Sequence, residues 1–251
     1  MTTTAAETEP FDSSALRVVD LTVNFGGARA VDAFSCSVSA GEIVALLGAN
    51  GAGKSTVLNA ISGLVPAASG SIVADGTVLT ELRPEQRAEH VAHVPEGRRL
   101  FPEHSVEENL DLAAFGRHRA VRRDLRERVH HLFPRLRLLA DRPAGLLSGG
   151  EQQMVALGRG LMSGAPVLAI DELSLGLAPI VAAQFTDTLR QLRDEGLAIL
   201  LVEQYVSLAL SVADRLIVLE RGRAVLAGTV SELGDEARSL QSAYLGAHET
   251  A

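Results

Sequence analysis

The chain has 251 residues, a formal net charge of −8 and a single cysteine, Cys36. One cysteine excludes an intramolecular disulfide and a thiolate metal cluster, and the acidic balance weighs against a general nucleic-acid binder, which needs basic surface to neutralise phosphates. With 47% hydrophobic but only 4% aromatic residues, the core has to be built from Leu, Val, Ile and Ala.

No apolar run approaches the roughly 18 residues of a membrane span. Residues 1–15 are polar, lack the basic and apolar regions of a secretory signal, and read as a disordered tail. Leu16 to Val23 and Phe34 to Val38 have strand-like patterning, with Gly26-Gly27 between them. Ile43 to Leu47 is a continuous apolar run, as a buried strand requires, and a helix is expected from Lys54 to Ile61. Ser71 to Leu79 reads as a hairpin turning at Asp75-Gly76. After Pro95 the spacing becomes helical: Glu107 to Phe115, then Val121 to Phe133 with Val121, Leu125, Val129, Leu132 and Phe133 on one face and Pro134 as the stop. A further helix opens after Ser148-Gly149-Gly150. Val167 to Ile170 and Ile199 to Val202 read as buried strands on either side of a helix from about Val181 to Arg193. Leu216 to Leu219 and Ala224 to Leu226 form a last hairpin around Arg221-Gly222. This order predicts an α/β fold with an inserted helical subdomain.

Gly48-Ala49-Asn50-Gly51-Ala52-Gly53-Lys54-Ser55 fits G-x-x-x-x-G-K-[ST] between a buried strand and a helix. The glycines let backbone N–H groups curl around a phosphate, and the following helix turns its positive end to the same anion. Lys54 is the one lysine among 23 basic residues; it supplies a compact charge for β/γ-phosphates, Ser55 a hydroxyl for Mg²⁺, and Thr56 a phosphate donor. Asp171 and Glu172 leave the carboxyl end of an apolar strand, where α/β folds bind ligands. Asp171 is placed to hold a Mg²⁺ shell and Glu172 to polarise an attacking water. Ser148, Gly149 and Gly150 open a helix as a second anion cradle. One nucleotide needs only one cradle, so the second is explained if it serves a nucleotide held by another chain.

With these motifs in this order, residues 16 to 230 resemble the ATP-binding cassette (ABC) ATPases, whose signature is LSGGQ-like. Closer still, SGGEQQMVALGRGLMSGAPVLAIDELSLGLAPIV from Ser148 and VPEGRRLFPEHSVEENL from Val94 look like the second ATPase subunit of branched-chain amino acid importers, the LivF type. The resemblance implies a P-loop NTPase fold: a RecA-like core, an antiparallel β subdomain and a helical subdomain at about 98–160. The ABC domain would span 16–240, with 241–251 as a C-terminal tail. Phe25 matches the aromatic that stacks on adenine, although core packing would equally suit it. Gly48, Asn50, Gly51, Ala52, Gly53, Lys54, Ser55 and Thr56 match the nucleotide-binding loop. Ser148, Gly149 and Gly150 match the groups that reach the partner's γ-phosphate, and Ser174 to Leu177 the D-loop at the dimer seam.

Three positions depart from ABC ATPases at large. Glu96 stands where Gln is usual, Gln204 where the switch histidine is usual, and Leu173 where Pro follows the catalytic Glu. The LivF-like group is similar at the first two. A carboxylate at 96 can ligate Mg²⁺ but cannot donate a hydrogen bond, and Gln204 cannot become a cation. The expected catalytic set is therefore Glu172, Lys54, Gln204 and Glu96, with Ser55, Asp171 and Glu96 for the metal. A slow or asymmetric site on this chain's own phosphate loop follows.

The implied ligands are ATP and Mg²⁺. The implied partners are a second ABC ATPase subunit, expected to be a different chain, two membrane permease subunits and, indirectly, a solute-binding protein, with no nucleic acid. The place is the cytoplasmic face of the bacterial inner membrane, peripheral through the permeases. Arg98, Arg99 and Phe101 lie where a permease coupling helix docks, or are solvated. Soluble ABC ATPases of iron–sulfur assembly typically keep the usual Gln and His. Repair ATPases need a long coiled coil, for which the interval from Lys54 to Ser148 leaves no room. Urea or amide import and lipid export remain as alternatives within transporters. His90 and His93 read as surface, only one of His130 and His131 can face the core, and Cys36 reads as buried and inert.

Overall fold

The computed structural model describes residues 14–173 and 179–233. The expected tails beyond these limits and the D-loop Ser174 to Leu177 lie outside the described residues. The chain starts with a long antiparallel hairpin, β1 (Ser14–Phe25) and β2 (Ala28–Ser39), turning at Gly26-Gly27. These strands exceed the expected short runs because register shifts near Asp20 and Ala33, both at positive φ, let the ladder continue through polar residues. β3 (Ile43–Leu47), with every residue buried, feeds the phosphate loop and α1 (Lys54–Ile61). Next come β4 (Ser69–Ala74), β5 (Thr77–Val78), the one-turn α2 (Pro84–Arg87) and β6 (Val91–Val94).

The helical run holds α3 (Val106–Ala113), α4 (Arg119–Leu132), α5 (Pro134–Leu138) and α6 (Gly149–Met162). The chain then alternates through β7 (Val167–Asp171), α7 (Pro179–Asp194), β8 (Ala198–Glu203), α8 (Val206–Val212), β9 (Arg215–Glu220) and β10 (Arg223–Thr229). One sheet has the antiparallel order β2-β1-β4-β5. The other has the order β10-β9-β3-β8-β7-β6, parallel from β9 to β6 with β10 antiparallel at its edge. The parallel sheet places the carboxyl ends of β3, β6, β7 and β8 side by side. Those ends carry the phosphate loop, Glu96, Asp171-Glu172 and Gln204 respectively.

One core cluster fills the space between the two sheets and α1, around Phe34, Leu46, Leu58 and Ile72. Another joins the opposite face of the parallel sheet to α3, α4, α6 and α7 through Leu110, Val129, Leu157 and Phe185. Pro134 does end α4, but it also starts α5, because proline suits the first turn of a helix. On α4, Val129 and Phe133 are buried as expected, whereas Val121 is 45% exposed, so the apolar face closes only toward the helix end. The strand β6 and the helices α5 and α8 are too short for their periodicity to be read in isolation. His130 is the core-facing member of its pair and meets the Glu107 carboxylate at 2.7 Å. His93 is not a surface residue: it is partly buried on β6, and burial pushes its imidazole down to about 4. Cys36 is buried, with its thiol pushed up to about 12 by desolvation.

Asn109 on α3 pins the segment that leads from β6 into the helices. It is fully buried, accepts from the Phe101 N–H at 3.0 Å and donates to the carbonyls of Phe101 at 3.0 Å and Ser105 at 2.9 Å. Asn109→Ala removes the partner of the Phe101 N–H, while the Phe101 and Ser105 carbonyls keep the backbone N–H groups of His104 and Asn109. It is expected to destabilise the fold by about 2 kcal/mol, seen as a lower urea midpoint at unchanged slope.

Candidate functional site

The phosphate loop runs from the end of β3 into α1. Gly53 is the N-cap of α1 at φ 106, and a Cβ there would lie 2.6 Å from the Ala30 carbonyl, so only glycine fits. Lys54, 4% exposed, folds back and donates to the carbonyls of Gly48 at 2.9 Å and Ala49 at 3.2 Å. Burial lowers its pKa, and the carboxylates of Glu172, Asp171, Glu203 and Glu96 act against that shift.

A cavity of about 350 Å³ opens over the loop, lined by Ala30, Asn50, Gly51, Gly53, Lys54, Ser55, Thr56, Glu96, Glu172 and Gln204. Glu96 and Gln204 stand far from the loop in sequence yet both face its cavity. Gln204 Nε2 donates to Glu172 Oε1. Glu172 sits just past β7 at φ 50 and donates its N–H to the Val202 carbonyl at 3.0 Å, which turns its side chain toward the loop. Asp171 lies beneath, 5% exposed. Its pKa is raised, first by desolvation and then by Glu172 and Glu96, against a hydrogen bond from Ser55 and the charge of Lys54. Its Oδ1 is buried without a hydrogen-bond partner. That orphaned oxygen beside Ser55 fits a hard divalent cation, which needs few protein ligands when phosphates and waters complete the shell. Among the described residues no group of three or more His, Cys, Asp or Glu forms an all-protein metal cage.

The second cradle is built separately. Ser148 caps α6, and its hydroxyl and N–H bond the Glu151 carboxylate at 2.8 Å and 2.9 Å in a capping box. These bonds hold the Glu151 carboxyl below its ordinary range. Gly150 packs so closely on α7 that a Cβ would lie 2.9 Å from Val181 Cγ1. Ser148, Gly149 and Gly150 are not in the wall of the phosphate-loop cavity, and neither is Phe25, which is 49% exposed. Gly48 and Ala52 are not in that wall either; Ala52 is buried, and its carbonyl accepts from the Gly222 N–H at 2.8 Å. Sequence reasoning did not reach Ala30, an ordinary strand residue with no motif, or Glu203, a buried carboxylate inside an apolar strand that acts on Lys54. Arg98 is not simply solvated: it bonds Gln152 and Gln153. The guanidinium of Arg159 lies 5.2 Å over the Phe101 ring.

Residues 31–174 match the ABC transporter family. The chain belongs to that family. The cassette is 45% identical over 223 residues to the high-affinity branched-chain amino acid transport ATP-binding protein BraG of Pseudomonas aeruginosa, covering 88% of this chain and 95% of that protein. It is 37% identical over 220 residues to the probable branched-chain amino acid transport ATP-binding protein LivF of Archaeoglobus fulgidus, covering 87% and 93%. Among solved structures, an ATP-binding subunit of an ABC transporter superposes with a TM-score of 0.79 at 29% identity, covering 89% of this cassette and 93% of that chain. The two-sheet architecture with helices between β6 and β7 is thus the ABC ATPase fold. Nucleotide binding is the activity that the family brings to this cassette. No helix among the described residues is long and apolar enough to cross a membrane.

Proposed function

We propose that this cassette binds and hydrolyses ATP to power an importer of branched-chain or related amino acids. In this reading it works at the cytoplasmic face of a bacterial plasma membrane, on two permease subunits, beside a second ATPase subunit and with a solute-binding protein outside. The observation that carries the proposal is the likeness to BraG over 88% of this chain and 95% of that protein, together with a cavity that gathers Lys54, Glu96, Glu172 and Gln204 over the loop.

The residues divide the work. Backbone N–H groups of Gly51, Gly53 and Lys54 and the N-terminus of α1 cradle the phosphates. Lys54 leaves its two carbonyl partners for the β/γ-phosphates. Ser55, Asp171 and Glu96 would hold Mg²⁺, which would neutralise charge on the phosphate oxygens. Glu172 orients and polarises the attacking water, and Gln204 fixes the Glu172 carboxylate by its hydrogen bond. Ser148, Gly149 and Gly150 serve the nucleotide of the second subunit, and Phe25 offers its exposed ring to the adenine. A groove of about 330 Å³, lined by Leu64, His93, Arg98, Arg99 and Arg159 among others, receives the permease. Cells lacking this gene should lose uptake of labelled leucine, isoleucine and valine, with recovery by the wild-type gene but not by Lys54→Ala. Unchanged uptake of all three would reject the proposal.

Gln204 does not titrate, so no limb of the pH–rate profile comes from this position. Gln204→His should raise ATPase of the assembled transporter by about tenfold, short of the ~100-fold lower end for a well-positioned acid–base group. It should also add a limb near pH ~6.5. A rate that falls would count against a slow site on this chain's own loop.

A further inference from the structure

The turn that joins α3 to α4 carries charge of the opposite sign to the chain as a whole. Residues 115–126 hold Arg117, Arg119, Arg122, Arg123 and Arg126 against one carboxylate, Asp124, in a chain of net charge −8. Arg119, Arg122 and Arg126 follow helical spacing along one face of α4. With Arg123, Ala120 and Asp111 they line a cavity of about 630 Å³. Asp111 offsets part of this charge: it accepts from Arg126 and lies 3.5 Å from Arg122. Arg126 also meets Glu107 at 3.1 Å. Arg123 meets its neighbour Asp124 at 3.2 Å with both side chains exposed, a pair of little worth. Among the described residues Arg117 and Arg119 have no carboxylate partner.

Apolar side chains stand among these arginines. Phe115 is 90% exposed, more than any other large apolar side chain among the described residues, and Leu112 and Val121 on either side of it in the chain are exposed too. Backbone slack does not put the ring there. Ala114 beside it is fully buried, and the N–H groups of Ala114, Phe115 and Arg117 donate to the carbonyls of Asp111, Leu112 and Ala114 at 3.1, 3.4 and 3.1 Å. A closed turn thus holds an aromatic ring in water, and a covering surface would recover the apolar free energy that this forgoes.

The concave part of this surface is cationic and the apolar part projects. A protein-docking hot spot is built the other way, with an apolar pocket that receives an anchor. A bilayer surface matches: guanidinium forks bind phosphodiester oxygens, and a ring beside them enters the headgroup boundary. The position agrees, because Ala113, two residues before Phe115, lines the groove assigned above to the permease. The turn therefore lies beside the seat of a membrane protein.

We propose that the α3–α4 turn is a lipid contact, in which Arg119, Arg122 and Arg123 hold the phosphates of anionic phospholipid headgroups while Phe115 enters the interface. Only the argument from position rests on the proposed function; the charge and the exposed ring do not.

Flotation of the full-length chain with vesicles tests this without ATP or permeases, so its outcome is separate from that of the uptake experiment. The probes are vesicles of phosphatidylcholine alone and of phosphatidylcholine with about one-third phosphatidylglycerol. The chain should float with the anionic vesicles at about 0.05 M salt, be released at about 0.5 M, and ignore pure phosphatidylcholine. Arg119→Ala and Arg123→Ala should each weaken partitioning about fivefold, and Phe115→Ser about tenfold. Their urea midpoints should match wild type, because all three side chains are exposed. No flotation with anionic vesicles, equal flotation with pure phosphatidylcholine, or variants that float like wild type overturn the proposal. Displacement by inorganic phosphate at constant ionic strength also overturns it, in favour of a free anion. Absent vesicle binding with loss of permease co-purification in Phe115→Ser overturns it in favour of a protein partner.

Discussion

Lys54→Ala is expected to abolish ATP turnover, by more than about 1,000-fold, while the chain stays folded. The ammonium group is the positive centre of the cavity, set among Glu172, Asp171, Glu203 and Glu96. Without it a triphosphate would enter a site of net negative charge. Lys54→Arg should fail nearly as badly, because a planar guanidinium does not fit where Nζ now reaches the Gly48 and Ala49 carbonyls. The fold should tolerate either change. Desolvation is the largest influence on Lys54 and lowers its pKa, so the buried charge does not stabilise the chain. Phosphate release by the assembled transporter and the urea midpoint of the isolated chain give the two readings. More than about a tenth of wild-type turnover would remove Lys54 from its assigned role.

Glu172→Gln should keep ATP binding and lose hydrolysis by about 100- to 1,000-fold. Glutamine preserves the shape of the side chain and a partner for Gln204, but it cannot accept a proton from water. The same change also bears on stability. The Glu172 charge is one of the causes that raise the Asp171 pKa. A carboxyl whose folded pKa is raised binds its proton more tightly in the native state. Native stability therefore declines as pH rises through the range between the unfolded value and the raised folded value, and the deficit persists above it. Removing the Glu172 charge should lower the Asp171 pKa and shrink that deficit. Glu172 also supports the charge on buried Lys54, so the two effects oppose and the urea midpoint at neutral pH should stay close to that of wild type while hydrolysis is lost. A variant that hydrolyses at the wild-type rate would show that another group polarises the water.

Much of the fold and the site is legible in the sequence. The run from Gly48 to Thr56 is contiguous, and its conformation is imposed by its own glycines and by the strand and helix beside it. The apolar runs within β3, β7 and β8 read as buried strands, which placed Asp171 and Glu172 at a strand's carboxyl end. Departures at Glu96 and Gln204 were visible from their place after short motifs. What these residues touch was not. The contacts of Arg98 were not legible, because its partners lie 54 and 55 residues away. His93 looked like a surface residue because a four-residue strand carries too little periodicity to show which side is buried. Val121 fitted the apolar spacing of α4, but the helix extends past its packing partners at that end.

The sequence alone determined the phosphate loop, the buried strands and the family, because each rests on neighbouring residues whose backbone preferences and apolar runs act locally. Only the tertiary structure decided that Gln204 meets Glu172, 32 residues away, that Glu96 shares their cavity, and that Ser148, Gly149 and Gly150 lie outside it. Those juxtapositions follow from the order in which β3, β8, β7 and β6 pair. That order is set by how whole faces of the sheet bury against the helices, and no local stretch of the chain encodes it.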